Sequence, residues 1–213
     1  MPLSGLGEVR EFYDNTADNY SRIMDAEIEL PLYAEVLGEL VRLTSSIEGP
    51  VLDTSCGSGH MLAKLAREYA PGGELLGVDL SPRMVSIARA RLGSSASVYQ
   101  GDMARLPSEI AEGACAAVIS FFSIHHIAPN NLTQCVAEWS RVSTPGGRLL
   151  LAAWEGEGPI DYGGQSEIVT QRYREDELVA AVQAAGFGID MRSVSAVEGI
   201  DMDAVYLGAK KLS

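Results

Sequence analysis

Val51-Leu52-Asp53-Thr54-Ser55-Cys56-Gly57-Ser58-Gly59-His60 is where a short apolar run meets an acid and then two glycines one residue apart. It reads as a strand ending in a tight loop. Met61, Leu62, Leu65, Ala66 and Tyr69 then recur at helical spacing, so the glycines stand where a strand hands over to a helix. In open α/β sheets such a junction binds ligands. Gly57 and Gly59 let backbone N–H groups and a helix N-terminus approach a negative group such as a carboxylate, while Asp53 supplies an acceptor opposite. Leu62 occupies the third glycine position of a nicotinamide-binding Gly-x-Gly-x-x-Gly fingerprint, which counts against a dinucleotide. A glycine-rich turn without a ligand is the plain alternative.

Outward from this loop, the pattern of a strand followed by a helix repeats. Gly49-Pro50 leads into the first strand, and Pro71-Gly72-Gly73 turns the chain into a second, Glu74–Asp79. Asp79 closes that strand about twenty residues past Gly59, where an acid accepts from both hydroxyls of a ribose, whichever nucleotide carries it. Ser81-Pro82 starts the next helix, with serine as N-cap and proline in the first turn, and Met84, Val85, Ala88 and Leu92 form its buried face. Ser97–Gln100 is a third strand followed by Gly101-Asp102-Met103. A fourth, from Ala116, runs out through Phe121 to His125-His126. A helix over about 131–142, a Thr144–Gly147 turn and a fifth strand, Arg148–Trp154, follow. A glycine-rich loop with Asp161 and Tyr162 comes next, then a last helix opened by Tyr173. Two final strands, 189–196 and 204–210, form a hairpin.

Three strand ends in order, Asp53/Gly57/Gly59, Asp79 and Asp102, together resemble the class I S-adenosylmethionine-dependent methyltransferases. Their first motif is Asp-x-Gly-Cys-Gly-x-Gly. Ser55 replaces the first glycine here, and a positive φ at that position would strain a serine by ~1 kcal/mol. The resemblance spans about residues 13–210. It implies a doubly wound, Rossmann-like three-layer α/β sandwich with a mostly parallel seven-stranded sheet and an antiparallel last strand. It also implies one domain over 1–213, with 1–48 as a helical lid or cap and 49–213 as the cofactor-binding core.

The implied cofactor is S-adenosyl-L-methionine. Asp53, Ser55, Gly57 and Gly59 would form its loop, and Asp79 would hold the ribose. Leu80 and Met84 would flank the adenine, although core packing is nearly as good an account of Met84. Asp102 would accept from the adenine amino group while the Met103 N–H donates to the ring, and the Phe121 carbonyl would hold the cofactor's amino group. Tyr-Asp-x-x-Ala-x-x-Tyr segments in such enzymes fold over the cofactor, which makes Tyr13 and Tyr20 lid candidates; an amphipathic helix using its tyrosines for packing is the even alternative. Tyr13, Trp154, Tyr162 and Tyr173 are candidates for an aromatic substrate wall. His125 and His126 emerge where the reactive methyl points, and imidazole titrates near neutral pH, so they are the catalytic candidates beside a packed, structural alternative. The implied activity is methyl transfer to N, O or C of a small molecule. A non-catalytic cofactor binder and a nucleotide-dependent oxidoreductase are the competing classes.

Composition narrows the partners. A chain of 213 residues holds one α/β core and not two. Its net charge of −13 repels phosphate backbones and anionic membranes and tolerates neutral or cationic small molecules, so neither nucleic acid nor a membrane is expected. No apolar run reaches the ~20 residues of a membrane span and no basic-then-apolar leader is visible, so the expected location is cytoplasmic. The three cysteines are widely spaced, which speaks for reduced thiols and against a disulfide framework or zinc. With only His60 beyond the pair, a three-histidine metal site is not expected either.

Overall fold

A computed structural model describes residues 3–69, 73–160, 167–197 and 200–213. Its strands β1 (Val51–Asp53), β2 (Leu75–Asp79), β3 (Ser97–Gln100), β4 (Cys115–Phe121), β5 (Ser143–Trp154), β6 (Phe187–Ala196) and β7 (Asp203–Lys211) form one seven-stranded sheet in the order β3-β2-β1-β4-β5-β7-β6. β1 to β5 pair in parallel, whereas β7 lies antiparallel between β5 and β6. From β1 the chain winds to β2 and β3 on one side and then returns to β4 and β5 on the other. The crevice beyond the carboxyl ends of β1 and β4 is therefore the topological switch point.

Both faces of the sheet are covered, which is why the central strands read as unbroken apolar runs rather than alternating ones. Against one face, α5 (Leu132–Val142) and α6 (Glu175–Ala184) bury Trp139, Val136, Leu178 and Val182 over Val118 and Leu149. Against the other, α2 (Pro31–Thr44), α3 (His60–Lys64) and α4 (Pro82–Leu92) bury Leu37, Leu62 and Val85 over Val51 and Ile119. Three layers result, as expected. Ser81 accepts from the Met84 amide as the N-cap of α4, with Pro82 in the first turn.

Some boundaries differ from the sequence reading. Thr144–Gly147 does not precede β5 but lies within it: pairing with β4 jumps from Cys115↔Ser143 to Ala117↔Arg148, so the Pro-Gly-Gly segment loops out of an extended chain. After Lys64 the helix loosens into a π turn over Leu65–Tyr69. The last helix starts at Glu175, because Tyr173 pairs with Glu155 in an isolated bridge instead.

α1 (Leu6–Glu27) is built differently from the others. Its start is fixed by the Glu8 carboxylate, which accepts from the Gly5 amide at 2.7 Å. Only Val9 and Ala17 on it are buried, too little apolar surface to make it part of the core. Polar contacts hold it to α4. Asp14 accepts from Ser81 Oγ at 2.5 Å and from the Arg83 amide at 3.1 Å, Arg83 pairs with Asp18 at 2.8 Å, and Arg91 pairs with Asp25 at 2.9 Å. α1 consequently lies as a cap over the carboxyl ends of the strands. Among the described residues no helix is long and apolar enough to cross a membrane.

Candidate functional site

The loop after β1 is held by carboxylates that accept from the backbone. Asp53 Oδ1 accepts from the Ser55 amide at 3.2 Å, and Asp79 Oδ2 reaches across from the end of β2 to accept from the Gly57 amide at 2.8 Å. Asp79 Oδ1 also accepts from the Ser81 amide at 2.9 Å, so one side chain ties together the first loop and the start of α4. Gly57 has φ +52 and Gly59 φ +83, left-handed conformations open to glycine at little strain. Ser55 is not at positive φ, so the serine in place of the family glycine carries none of the anticipated strain. Its Oγ is buried and has no hydrogen-bond partner.

Neither carboxylate has a cationic partner among the described residues. Burial pushes the Asp53 carboxyl up to about 7, with the charge of Asp79 adding to the effect and the Ser55 amide opposing it. Burial likewise pushes Asp79 up to about 6 against the amides of Ser81 and Gly57. Two desolvated acids and an orphaned hydroxyl are a polar cluster lacking its complement. Such a cluster can receive a ligand bringing hydrogen-bond donors and positive charge.

Two cavities meet here. The first runs along the strand ends under α1 and is lined by Ser55, Gly57, Asp79, Leu80, Met84, Asp102, Met103, Phe121 and His126. The second, of about 610 Å³, opens beside it and is lined by Asp53, Glu27, Tyr33, His125, Trp154 and Tyr206. Tyr13, Tyr20, Ser55, Phe121 and Phe122 line both, forming the neck between them. The Tyr20 ring lies against the glycine loop, 3.3 Å from where a Cβ on Gly57 would stand.

The adjacent histidines leave β4 on a single 3-10 turn, Ile124–His126, and part company there. His125 faces the second cavity and His126 the first. The Tyr13 hydroxyl sits 3.0 Å from His126 Nε2, linking the cap to the strand end. Nδ1 of each ring is buried without a partner. Burial lowers both imidazoles, His126 to about 4 and His125 well below its ordinary value, so both are neutral at neutral pH.

Some anticipated roles do not survive this geometry. Gly59 lines neither cavity; a Cβ there would meet Leu92 and Ala88 at 3.0 and 3.2 Å, so it serves the close approach of α3 to α4. Tyr173 is only 1% exposed, packs in the α5/α6 core and donates to the Ile127 carbonyl, which removes it from the substrate wall. Asp102 accepts from the Ala104 amide at 2.9 Å, an Asx turn, and lines the first cavity. The Met103 carbonyl is occupied by Trp139 Nε1 at 2.9 Å, which fixes the peptide beside the cavity. Tyr162 lies outside the described residues. His60 is bonded to Ser58 Oγ and Asp25, and the described residues contain no cluster able to hold a metal ion.

Sequence reasoning passed over Phe122, Glu27, Tyr33 and Tyr206. Phe122 is the one described non-glycine residue at positive φ, +47, and donates its amide to the Ala152 carbonyl at 2.8 Å. Strain of this kind gathers at ligand sites. The paired phenylalanines past the end of an apolar strand were the available signal. Glu27, Tyr33 and Tyr206 carry none, since the cavity gathers them from three separate elements.

Comparison with known proteins agrees with this geometry. Residues 51–147 match the family described as methyltransferase domain. The demethylmenaquinone methyltransferase of Deinococcus radiodurans is 38% identical over 104 residues, covering 47% of this chain and 41% of that enzyme. The chain spans 32–57% of the length of the first curated relatives it matches. Among solved structures, the 1,6-didemethyltoxoflavin-N1-methyltransferase of Burkholderia thailandensis, with 1,6-didemethyltoxoflavin and S-adenosylhomocysteine bound, superposes with TM-score 0.75 at 17% identity over 100% of this chain and 93% of that one. The [4+2]-cyclase SpnF also reaches TM-score 0.75, at 19% identity over 100% of this chain and 98% of its own. At these identities the likeness concerns the fold, and the fold alone does not choose the chemistry.

Proposed function

We propose that this chain is a class I S-adenosylmethionine-dependent methyltransferase, a reading supported by the match of residues 51–147 to a methyltransferase domain, and that it transfers a methyl group to a nucleophilic atom of a small molecule. The observation that carries the reading is the buried Asp53 and the half-buried Asp79, neither paired with a cation among the described residues, beside the orphaned Ser55 hydroxyl at the switch point of the sheet. S-adenosylmethionine fits that cluster: it brings an ammonium, two ribose hydroxyls and a carboxylate, for which Asp53, Asp79 and the Ser55 hydroxyl are the respective partners. Leu80, Met84, Asp102 and Met103 would receive the adenine at the other end of the first cavity. When bound, this cofactor supplies a methyl already activated on a sulfonium, open to in-line displacement.

The protein's own part is chiefly alignment and exclusion of water. Tyr13, Tyr20, Phe121 and Phe122 form the neck where the two cavities meet, and α1 closes over it. His125 lines the acceptor cavity in its neutral form, so its imidazole can take a proton from a phenol or acidic carbon. The burial that keeps it neutral also disfavours its imidazolium. His126, bonded to Tyr13, anchors the cap. The net charge of −13 supports a neutral or cationic substrate free in the cytoplasm.

Incubation with methyl-labelled S-adenosylmethionine and a panel of small phenols, amines and carbon acids tests the reading. Label should appear in a product together with S-adenosylhomocysteine. Binding of the cofactor with no label transferred to any acceptor would instead favour a non-methylating use of the fold.

A further inference from the structure

The second cavity has a chemical character that the methyl-transfer reading does not require. Five aromatic rings stand around its inner end in one connected set. Phe121 lies 6.2 Å from Tyr33, 6.0 Å from Phe122 and 6.4 Å from Tyr206, while Phe122 lies 4.6 Å from Trp154 and 6.1 Å from Tyr206. Glu27, at the end of α1, joins this set: its Oε1 accepts from the Tyr33 hydroxyl at 2.8 Å. Among the described residues no lysine or arginine lines the cavity and Glu27 has no cationic partner. Burial and the neighbouring Glu27 charge hold the Tyr33 phenol well above its ordinary value, so the tyrosine stays the donor of this pair.

Ring faces offer a negative quadrupole and a carboxylate offers a full negative charge, and together they complement a cation on an apolar body. Asp53 lines the same cavity but is committed to the cofactor's ammonium in the reading above, which leaves Glu27 for the acceptor molecule. We infer that the acceptor is an apolar, ring-containing compound bearing a positively charged group, held by Glu27 and the wall of Tyr33, Phe121, Phe122, Trp154 and Tyr206. The inference rests on the methyltransferase reading for the cavity's role as the acceptor site. The charged group is the handle for recognition and need not be the atom methylated. A carboxylate or phosphate at that position would face Glu27 with nothing to offset the repulsion.

Calorimetric titrations of the full chain, with S-adenosylhomocysteine saturating, test this with tryptamine, its neutral isostere 3-propylindole and indole-3-propionate. Tryptamine should bind at least about tenfold more tightly than 3-propylindole, in keeping with a desolvated cation over aromatic faces. Indole-3-propionate should show no binding. Glu27→Gln keeps an acceptor for Tyr33 and should reduce the preference for tryptamine over 3-propylindole at least about threefold while the aromatic faces retain the remainder; the variant's affinity for S-adenosylhomocysteine, measured alongside, reports that its fold is intact. Equal affinities in the unmodified protein, preference for the neutral or acidic compound, absence of tryptamine binding, or a preference undiminished in Glu27→Gln would each overturn the inference. Failure of S-adenosylhomocysteine itself to bind would instead bring down the cofactor reading, so the two failures are distinguishable.

Discussion

Replacing Asp53 by asparagine should make the ligand-free protein more stable and a poorer binder of its cofactor. The side chain is 3% exposed, carries no cationic partner and is pushed from 3.8 up to about 7 by burial. Because the folded value lies above the unfolded one, the folded state holds the proton more tightly. Stability is then greatest below pH 4 and declines as pH rises toward 7, levelling once both states are ionised. A shift of this size corresponds to about 2–4 kcal/mol of destabilisation at pH 8, the lower end allowing for relaxation around the charge. Asparagine retains the acceptor that meets the Ser55 amide and removes the charge. At pH 8, Asp53→Asn should therefore raise Tm by about 5–12 °C, as expected for a chain of this length. At pH 4 the two proteins should melt together. Differential scanning calorimetry at both pH values measures the difference, and saturating S-adenosylhomocysteine should raise Tm by less in the variant than in the unmodified protein. Equal melting at pH 8, or an equal gain at both pH values, would refute the claim that this acid is held ionised at a free-energy penalty for the sake of a cationic ligand.

Asp79→Ala removes the acceptor of both the Gly57 and Ser81 amides together with the proposed ribose contacts, and should weaken S-adenosylhomocysteine binding by ~1–3 kcal/mol in calorimetry; unchanged affinity would make Asp79 purely structural. The histidines should diverge. His125→Ala should lower turnover by ~10²–10⁴-fold with partial recovery at high pH, as for a lost general base, whereas His126→Ala should chiefly lower Tm by deleting its contact with the Tyr13 hydroxyl. If neither variant loses more than about tenfold in turnover, below the usual range for a general base, alignment alone accounts for catalysis. Asp14→Ala deletes two bonds between α1 and α4 and should speed amide hydrogen exchange in α1 by ~5–30-fold while the sheet is unaffected, matching the loss of ~1–2 kcal/mol locally; uniform acceleration through the chain would show that α1 is not a separately opening cap.

The sheet was legible because its signals are local. β1 and β2 end in Asp53 and Asp79 and β3 runs into Gly101-Asp102, while α4 carries its buried face at regular spacing. The same locality explains what was missed. Tyr173 reads as an aromatic beside a glycine-rich loop, yet the bridge to Glu155 turns its ring into the α5/α6 core. Gly59 reads as part of the ligand loop because its sequence position says so, but the nearness of Leu92 and Ala88, more than twenty-five residues on, decides its role. His125 and His126 were separable in principle as neighbours leaving a strand. Which of them faces which cavity depends on the 3-10 turn that follows β4. Glu27, Tyr33 and Tyr206 come from the end of α1, from α2 and from β7, so only the closed fold makes them neighbours.

The central claim is that the strand-end cluster of Asp53, Ser55, Gly57 and Asp79 receives S-adenosylmethionine and not a nicotinamide dinucleotide. Isothermal titration of the purified chain with S-adenosylhomocysteine, and separately with NAD and NADP, tests it directly. The account predicts saturable binding of S-adenosylhomocysteine at one site per chain, lost progressively in Asp79→Ala, and no heat of binding from NAD or NADP. Binding of either dinucleotide with S-adenosylhomocysteine silent would contradict it.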